Sequence, residues 1–343
     1  MSQLAIFPAK LCERSREKET AVRAVAICDT LIGRNDPAQA KIRAGSSGRP
    51  CMRIDAHQHF WDPARRDYGW LERLEGEPAR RLQRPFLPAD LSPILERHGI
   101  DRTILVQAAP TEAEAEYLLG LAERHAFIAG AVVWLDLEAP DFDRRLEAMQ
   151  RRREFLGVRP MLHDLPDPEW MLRPSVRRAF AALQDRDVCF DFLVRPVHLA
   201  PMLRILAEFP KLRGVVDHIA KPEIRGRQME PWRTLLQRVA EHPGLYCKLS
   251  GMITEADHVR WAPEDLLPYV EHALGCFGPT RCMFGSDWPV CTLAGSYDQV
   301  LSALEHSLDD CDRGRGIDAL SRERIWGGTA AEFYRLPRAS SAA

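Results

Sequence analysis

Residues 53–59 read Arg53-Ile54-Asp55-Ala56-His57-Gln58-His59, a short apolar run closed by a His-x-His pair. On an extended strand residues i and i+2 share a face, so His57 and His59 point together and Gln58 turns away. Far downstream, Cys282-Met283-Phe284-Gly285-Ser286-Asp287 is a second apolar run, closed by a carboxylate. Two imidazoles at one strand end, answered by a strand-ending Asp, suit a divalent metal with a carboxylate that can take a proton from water. An isolated His-x-His is more often a pair of surface or hydrogen-bonded histidines. The scaffold between the two motifs decides the matter.

That scaffold reads as eight strands alternating with helices. The strand candidates are Arg53–His57, Thr103–Ala108, Ile128–Leu135, Phe155–Leu162, Val188–Leu193, Gly214–His218, Leu245–Leu249 and Cys282–Gly285. Most are continuous apolar runs, the pattern of strands buried on both faces. Between them, Glu112–His125, Arg144–Arg153, Val176–Arg186, Leu199–Glu208, Arg233–His242, Pro263–Phe277 and Tyr297–Ser307 carry helical periodicity. Eight such units over roughly 280 residues match an α/β chain folded as a (β/α)8 TIM-type barrel, regular or distorted. An open doubly wound sheet is the alternative. No Gly-x-Gly-x-x-Gly follows the first strand and no Walker-type loop occurs, so a nucleotide-binding version has no support.

Barrel active sites lie at the C-terminal strand ends. The polar residues there are His57, His59, Gln107, Asp136, Arg159, Asp191, Arg195, Asp217, His218, Lys248 and Asp287. Barrel closure makes the first and last strands neighbours, so His57, His59 and Asp287 are expected to converge. A mouth holding several imidazoles, carboxylates and cations is a hydrolytic site or a site for an anionic substrate.

Five separated strings carry a family resemblance. They are Ile54-Asp55-Ala56-His57-Gln58-His59-Phe60-Trp61-Asp62, Gly157-Val158-Arg159-Pro160-Met161-Leu162, Val216-Asp217-His218-Ile219-Ala220-Lys221-Pro222, Lys248-Leu249-Ser250-Gly251 and Phe284-Gly285-Ser286-Asp287-Trp288-Pro289-Val290. In this order they resemble the amidohydrolase superfamily, and within it the sugar-acid lactonases such as L-fuconolactonase and L-rhamnono-lactonase. The pyrone-dicarboxylate lactonases are a related branch. The resemblance runs from Met52 to about Phe333. It implies that His57, His59, His218 and Asp287 bind metal or activate water, and that Arg159 and Lys248 contact substrate. Gln107 is a further candidate contact. Trp61 and Trp288 each follow a catalytic strand end, where a sugar ring could stack, although packing is the commoner role of such tryptophans.

Two departures from the superfamily pattern matter. Its binuclear members carry a carboxylated Lys or a Glu on strand 4, bridging two metals, where this chain offers Arg159, which cannot ligate a cation. One divalent ion, zinc or manganese, is therefore expected, weakly held or even dispensable. Second, the lactonases often show Gln-Asp where this chain has His163-Asp164, so His163 is either an added polar group at the mouth or a loop residue. Lactone hydrolysis needs a hydroxide equivalent and a stabilised oxyanion, which a bound divalent ion supplies. Without metal, the histidines, Arg159 and Lys248 could hold the oxyanion. Asp287 is the base either way.

The expected activity is thus opening of a sugar-acid lactone to its aldonate. A metal-dependent decarboxylase and a pyrone-dicarboxylate-type lactonase are the alternatives. A non-catalytic sugar-binding barrel is disfavoured because every acid/base position holds a titratable residue. No covalent route is indicated, because Gly285-Ser286-Asp287 is not Gly-x-Ser-x-Gly and the nine cysteines lack Cys-x-x-Cys pairing.

Composition agrees. A chain of 343 residues, 45% apolar and 28% charged, can bury a large core under a hydrated surface. A net charge of −2 gives no reason to expect nucleic acid or a membrane surface as partner, and no run reaches the length of a membrane span. The partner expected is a small-molecule sugar lactone; the oligomeric state is not legible. The odd cysteine count and the lack of a signal-peptide core point to the cytoplasm. Residues 1–51 lack sustained periodicity and end in Ala44-Gly45-Ser46-Ser47-Gly48-Arg49-Pro50, a linker-like stretch. They read as a leader outside the domain, with Glu13, Glu17, Glu19 and Asp29 arguing against a transit peptide. The barrel is expected to span 52–335, and 336–343 to form a polar tail.

Overall fold

A computed structural model describes residues 52–315 and 317–337; the leader and all of the tail beyond Pro337 lie outside the described residues. Eight parallel strands pair in sequence order: β1 (Ile54–Gln58), β2 (Arg102–Val106), β3 (Ile128–Val133), β4 (Phe155–Val158), β5 (Cys189–Phe192), β6 (Gly214–Val216), β7 (Leu245–Leu249) and β8 (Cys282–Phe284). The ring closes through a short contact, in which Asp287 N donates to His57 O at 2.8 Å and His59 N to Trp288 O at 2.7 Å. Closure therefore lies at the two motifs themselves. The expected (β/α)8 barrel is present.

The apolar runs split between two cores. Ile54, Ala56, Ile104, Val106, Val132, Cys189, Val215 and Met283 fill the barrel, floored by Ala330, Phe333 and Tyr334 beside the last helix, Thr329–Phe333. The alternate side chains, such as Leu105, Val133 and Phe190, pack under the outer helices. Both faces are buried, which is why the strands show no polar alternation. Leu336, assigned to the tail from sequence, packs against the inner cluster.

Several strands are shorter than their apolar runs, because the runs continue into buried mouth loops. Leu135 and Leu162 are buried beyond the ends of β3 and β4. Gln107, Arg159, Asp217 and His218 consequently sit just past their strands. The β1–β2 connection, which showed no helical period, contains helices at Gly69–Glu72, Gly76–Leu82 and Pro88–His98. The first two are too short to show a repeat, and Pro93 interrupts the third. No helix among the described residues is long and apolar enough to cross a membrane.

Candidate active site

β1 is irregular between Asp55 and Gln58. Ile54 and Ala56 face the interior, so strict alternation would send Gln58 inward as well. Instead Gln58 Nε2 donates to Thr103 Oγ1 at 3.1 Å, while His57 Nε2 and His59 Nε2 lie 3.2 Å apart. The bulge re-aims the strand end, a recurrent device beside active sites. Asp55 Oδ2 accepts from Ser286 Oγ at 2.6 Å and from Tyr297 OH at 3.1 Å, and its Oδ1 accepts from Ser286 N at 2.9 Å and His57 N at 3.2 Å. This carboxylate ties β1 to the β8 end and fixes His57 relative to Asp287.

His218 enters from β6 on an unusual turn. His218, Ile219, Ala220 and Lys221 all have positive φ, and Ile219, being β-branched, is the most unfavourable of them. Such strain persists only where surrounding structure imposes it; here Trp232 Nε1 donates to Ile219 O at 2.6 Å. Two glycines make room for the imidazoles. A Cβ on Gly251 would meet His218 Nδ1 at 2.5 Å, and one on Gly285 would meet His57 Cβ at 2.7 Å.

The four sequence-named residues converge. Asp287 Oδ1 lies 3.3 Å from His59 Nε2 and 3.8 Å from both His57 Nε2 and His218 Nε2. Each Nδ1 is engaged from behind. His59 Nδ1 donates to Val106 O at 2.8 Å, which leaves Nε2 as an open lone pair, since a carbonyl can only accept. His218 Nδ1 meets Ser250 Oγ at 2.8 Å, and His57 Nδ1 lies 3.4 Å from Asp217 Oδ1. Such backing partners orient metal-ligating histidines. Burial holds His57 well below its ordinary pKa and brings His218 down to about 4, so both are neutral near pH 7. Burial pushes the Asp287 carboxyl up, but His218, His59 and His57 together outweigh it and hold it below the ordinary range. Neutral imidazoles and an ionised carboxylate are the protonation states a divalent metal requires. His57, His59 and Asp287 offer ligand atoms within 4.8 Å of one another, as do His57, Asp217 and His218. These donor groups suit a divalent metal.

Beneath this set lies an ionic layer. Lys248 Nζ is 2.5 Å from Asp191 Oδ2, 3.0 Å from Asp217 Oδ1 and 3.2 Å from His57 Nδ1. Tyr334 OH donates to Asp191 Oδ2 at 2.9 Å. Asp191 and Asp217 outweigh the burial of Lys248 and hold its ammonium above the ordinary value. Arg159 reaches Asp217 Oδ2 at 3.3 Å and also donates to the Gln107 carbonyl, while Gln107 Nε2 donates back to Arg159 O at 2.7 Å. A guanidinium thus stands at the end of strand 4.

Three expected substrate contacts are placed differently. Lys248 is fully buried with three partners around its ammonium, so it has no free donor for a substrate. Trp61 is fully buried, its indole N–H shared by the carbonyls of Leu82 and Arg84 at 3.1 Å each. Trp288 packs edge-on against Phe60 and Phe86. Both tryptophans are wall residues, because the β1–β2 connection folds over them. Gln107 Oε1 and Arg159 Nε are buried without a hydrogen-bond partner among the described residues. Asp55, Ser250 and Ser286 were not singled out from sequence, although their strings were; a Ser beside a Gly that follows a strand was the available signal.

Residues 54–336 match the amidohydrolase family. This chain belongs to that family. It is 42% identical over 292 residues to the L-fucono-1,5-lactonase of Burkholderia ambifaria, covering 84% of this chain and 97% of that protein. The L-fucono-1,5-lactonase of Burkholderia multivorans is 37% identical over 301 residues, covering 85% of this chain and 98% of its own. The crystal structure of an amidohydrolase from Burkholderia multivorans with bound zinc superposes with a TM-score of 0.77 at 37% identity, covering 83% of this chain and all of that one. The family, the zinc-containing neighbour and the clustered His and Asp side chains support a divalent metal at this mouth.

Proposed function

We propose that this amidohydrolase opens the six-membered lactone ring of a sugar acid to give the aldonate, with one zinc or manganese ion held by His57, His59, His218 and Asp287. Similarity over nearly the full length of two L-fucono-1,5-lactonases, at 42% and 37% identity, carries this reading. When bound, the ion lowers the pKa of water and polarises the lactone carbonyl. Asp287, ionised at neutral pH, takes the proton of the attacking water. The ring C–O bond then breaks, and Asp287 returns that proton to the departing alkoxide, which becomes a hydroxyl of the product. Gln107 and Arg159 remain the candidate substrate contacts, since Gln107 Oε1 and Arg159 Nε have no hydrogen-bond partner among the described residues. The decarboxylase reading rests on a shared barrel alone.

The test is a panel of aldonolactones, read by acid release, before and after chelation and on re-addition of zinc or manganese. Acid release that falls on chelation, with at most one metal equivalent per chain, is the expected result, because Arg159 stands where a second ion would need an anionic bridge. Two tightly held equivalents overturn the metal assignment. An enzyme inert to every lactone overturns the activity.

We also propose that the folding unit begins at Met52, since the family match starts at residue 54. A chain shortened to that residue should keep its melting temperature and turnover. An insoluble or inactive product would show that residues 1–51 belong to the domain.

A further inference from the structure

A cavity of about 570 Å³ opens past the C-terminal ends of β2, β3 and β4, at the barrel end that carries the histidines; its lining includes Trp70, Trp134, Trp170, Asp136 and Asp164. Its volume lies within the ~300–1,000 Å³ common for small-molecule sites. Buried Trp61 stands between it and the histidines. Trp70 lies edge-on to Trp61 at 5.4 Å, and Trp61 stands 6.4 Å from His59. On the other side the lining includes Pro160, the residue after Arg159.

The three indoles are not equivalent. Trp70 Nε1 donates to Ala108 O at 2.8 Å and Trp170 Nε1 to Glu138 Oε2 at 2.9 Å, so both are fastened to the wall. Trp134 is half-buried, and its indole N–H has no partner among the described residues. Asp136, two residues on, uses Oδ1 to accept from Glu138 N at 2.9 Å, while Oδ2 has no hydrogen bond among the described residues. An apolar indole face, a free N–H and a free carboxylate oxygen thus stand together. Four carboxylates line the cavity against two guanidiniums, which disfavours a dicarboxylate ligand.

We infer that this cleft is the specificity subsite of the lactonase: it takes the hydroxyl-bearing part of a neutral sugar lactone, with Trp134 donating to one hydroxyl and covering the C–H face, and Asp136 accepting from another. The assignment rests on the lactonase reading above. A site built to hydrogen-bond a hydroxyl discriminates against an analogue that lacks it. The cleft therefore contributes to selection of sugar lactones over plain ones, while the ester chemistry stays with the histidines and Asp287.

The test compares wild type, Trp134→Phe, Trp134→Ala and Asp136→Asn on an aldonolactone and on δ-valerolactone, which has the same ring without hydroxyls. On the aldonolactone, kcat/KM should fall roughly 10–100-fold for Trp134→Ala and about 10-fold for Trp134→Phe and Asp136→Asn, chiefly through KM. On δ-valerolactone it should not change. Equal losses on both lactones, or no loss on either, overturn the subsite. Calorimetric titration with the open aldonate is the readout independent of turnover. Binding to wild type that is lost in Trp134→Ala and weakened in Trp134→Phe supports the cleft even if no lactone is hydrolysed, in which case only the activity fails. Equal binding to all the variants, or none to wild type, overturns it.

Discussion

Replacing Asp287 with Asn should leave a folded protein that has lost on the order of 10²–10⁴ in kcat, the range for removal of a general base. The expectation of an intact fold comes from the backbone. Asp287 has a φ of 56°, in the left-handed region. Asn is among the few residues that tolerate this region, whereas Ala would add backbone strain to the loss of the carboxylate. The closing hydrogen bond from Asp287 N to His57 O is a main-chain bond and survives the change. What disappears is the charge facing three imidazoles at 3.3–3.8 Å. Turnover of the best aldonolactone, alongside a melting curve, is the measurement. Near-wild-type kcat in Asp287→Asn would mean that another group takes the proton.

Replacing Lys248 with Met should destabilise the barrel by about 3–5 kcal/mol, the range for breaking a buried ion pair by removing one partner, and lower the melting temperature by about 10 °C. Met matches the length of the lysine stem, so the main loss is the ammonium between Asp191 and Asp217. Tyr334 OH would still serve Asp191, and Arg159 would still serve Asp217. Neither replaces a charge 2.5 Å and 3.0 Å from the two carboxylates.

The pH dependence gives a second reading of the same variant. Burial lifts Asp191 to about 6, above its ordinary 3.8, even with Lys248 present. A carboxyl raised in this way favours the fold while it is protonated, and that contribution is lost as pH rises through the folded value. Without Lys248 the folded value rises further, so the deficit should be largest near pH 7 and shrink toward pH 5. A melting temperature within a degree or two of wild type at pH 7 would show that the carboxylates do not depend on Lys248.

Much of this was legible because it is local. Each strand announces itself as an apolar run, since a strand covered on both faces has no place for polar side chains. His57, His59, His218 and Asp287 were identifiable because each sits at the end of such a run, and parallel strands in a barrel bring all those ends to one face. Other features depend on partners distant in the chain. Lys248 lies near the C-terminal end of β7 as Asp287 lies past β8, yet its side chain is buried where Asp191 and Asp217 from the β5 and β6 region meet it. Trp61 and Trp288 look like stacking platforms beside catalytic strand ends, but Phe60, Phe86 and the carbonyls of Leu82 and Arg84 consume their surfaces.

By itself, then, the sequence determined the order of strands and helices, the barrel they make and the four residues that meet at its mouth, because burial and strand direction are written in local patterns. Only the tertiary structure decided that a bulge in β1 re-aims the strand end, that Asp55 and Ser286 lock the β1–β8 closure, that a left-handed turn presents His218, and that Trp134 and Asp136 line one cleft. Those outcomes depend on which distant groups satisfy each polar atom and on where alternation breaks, and neither is set by the residues on either side.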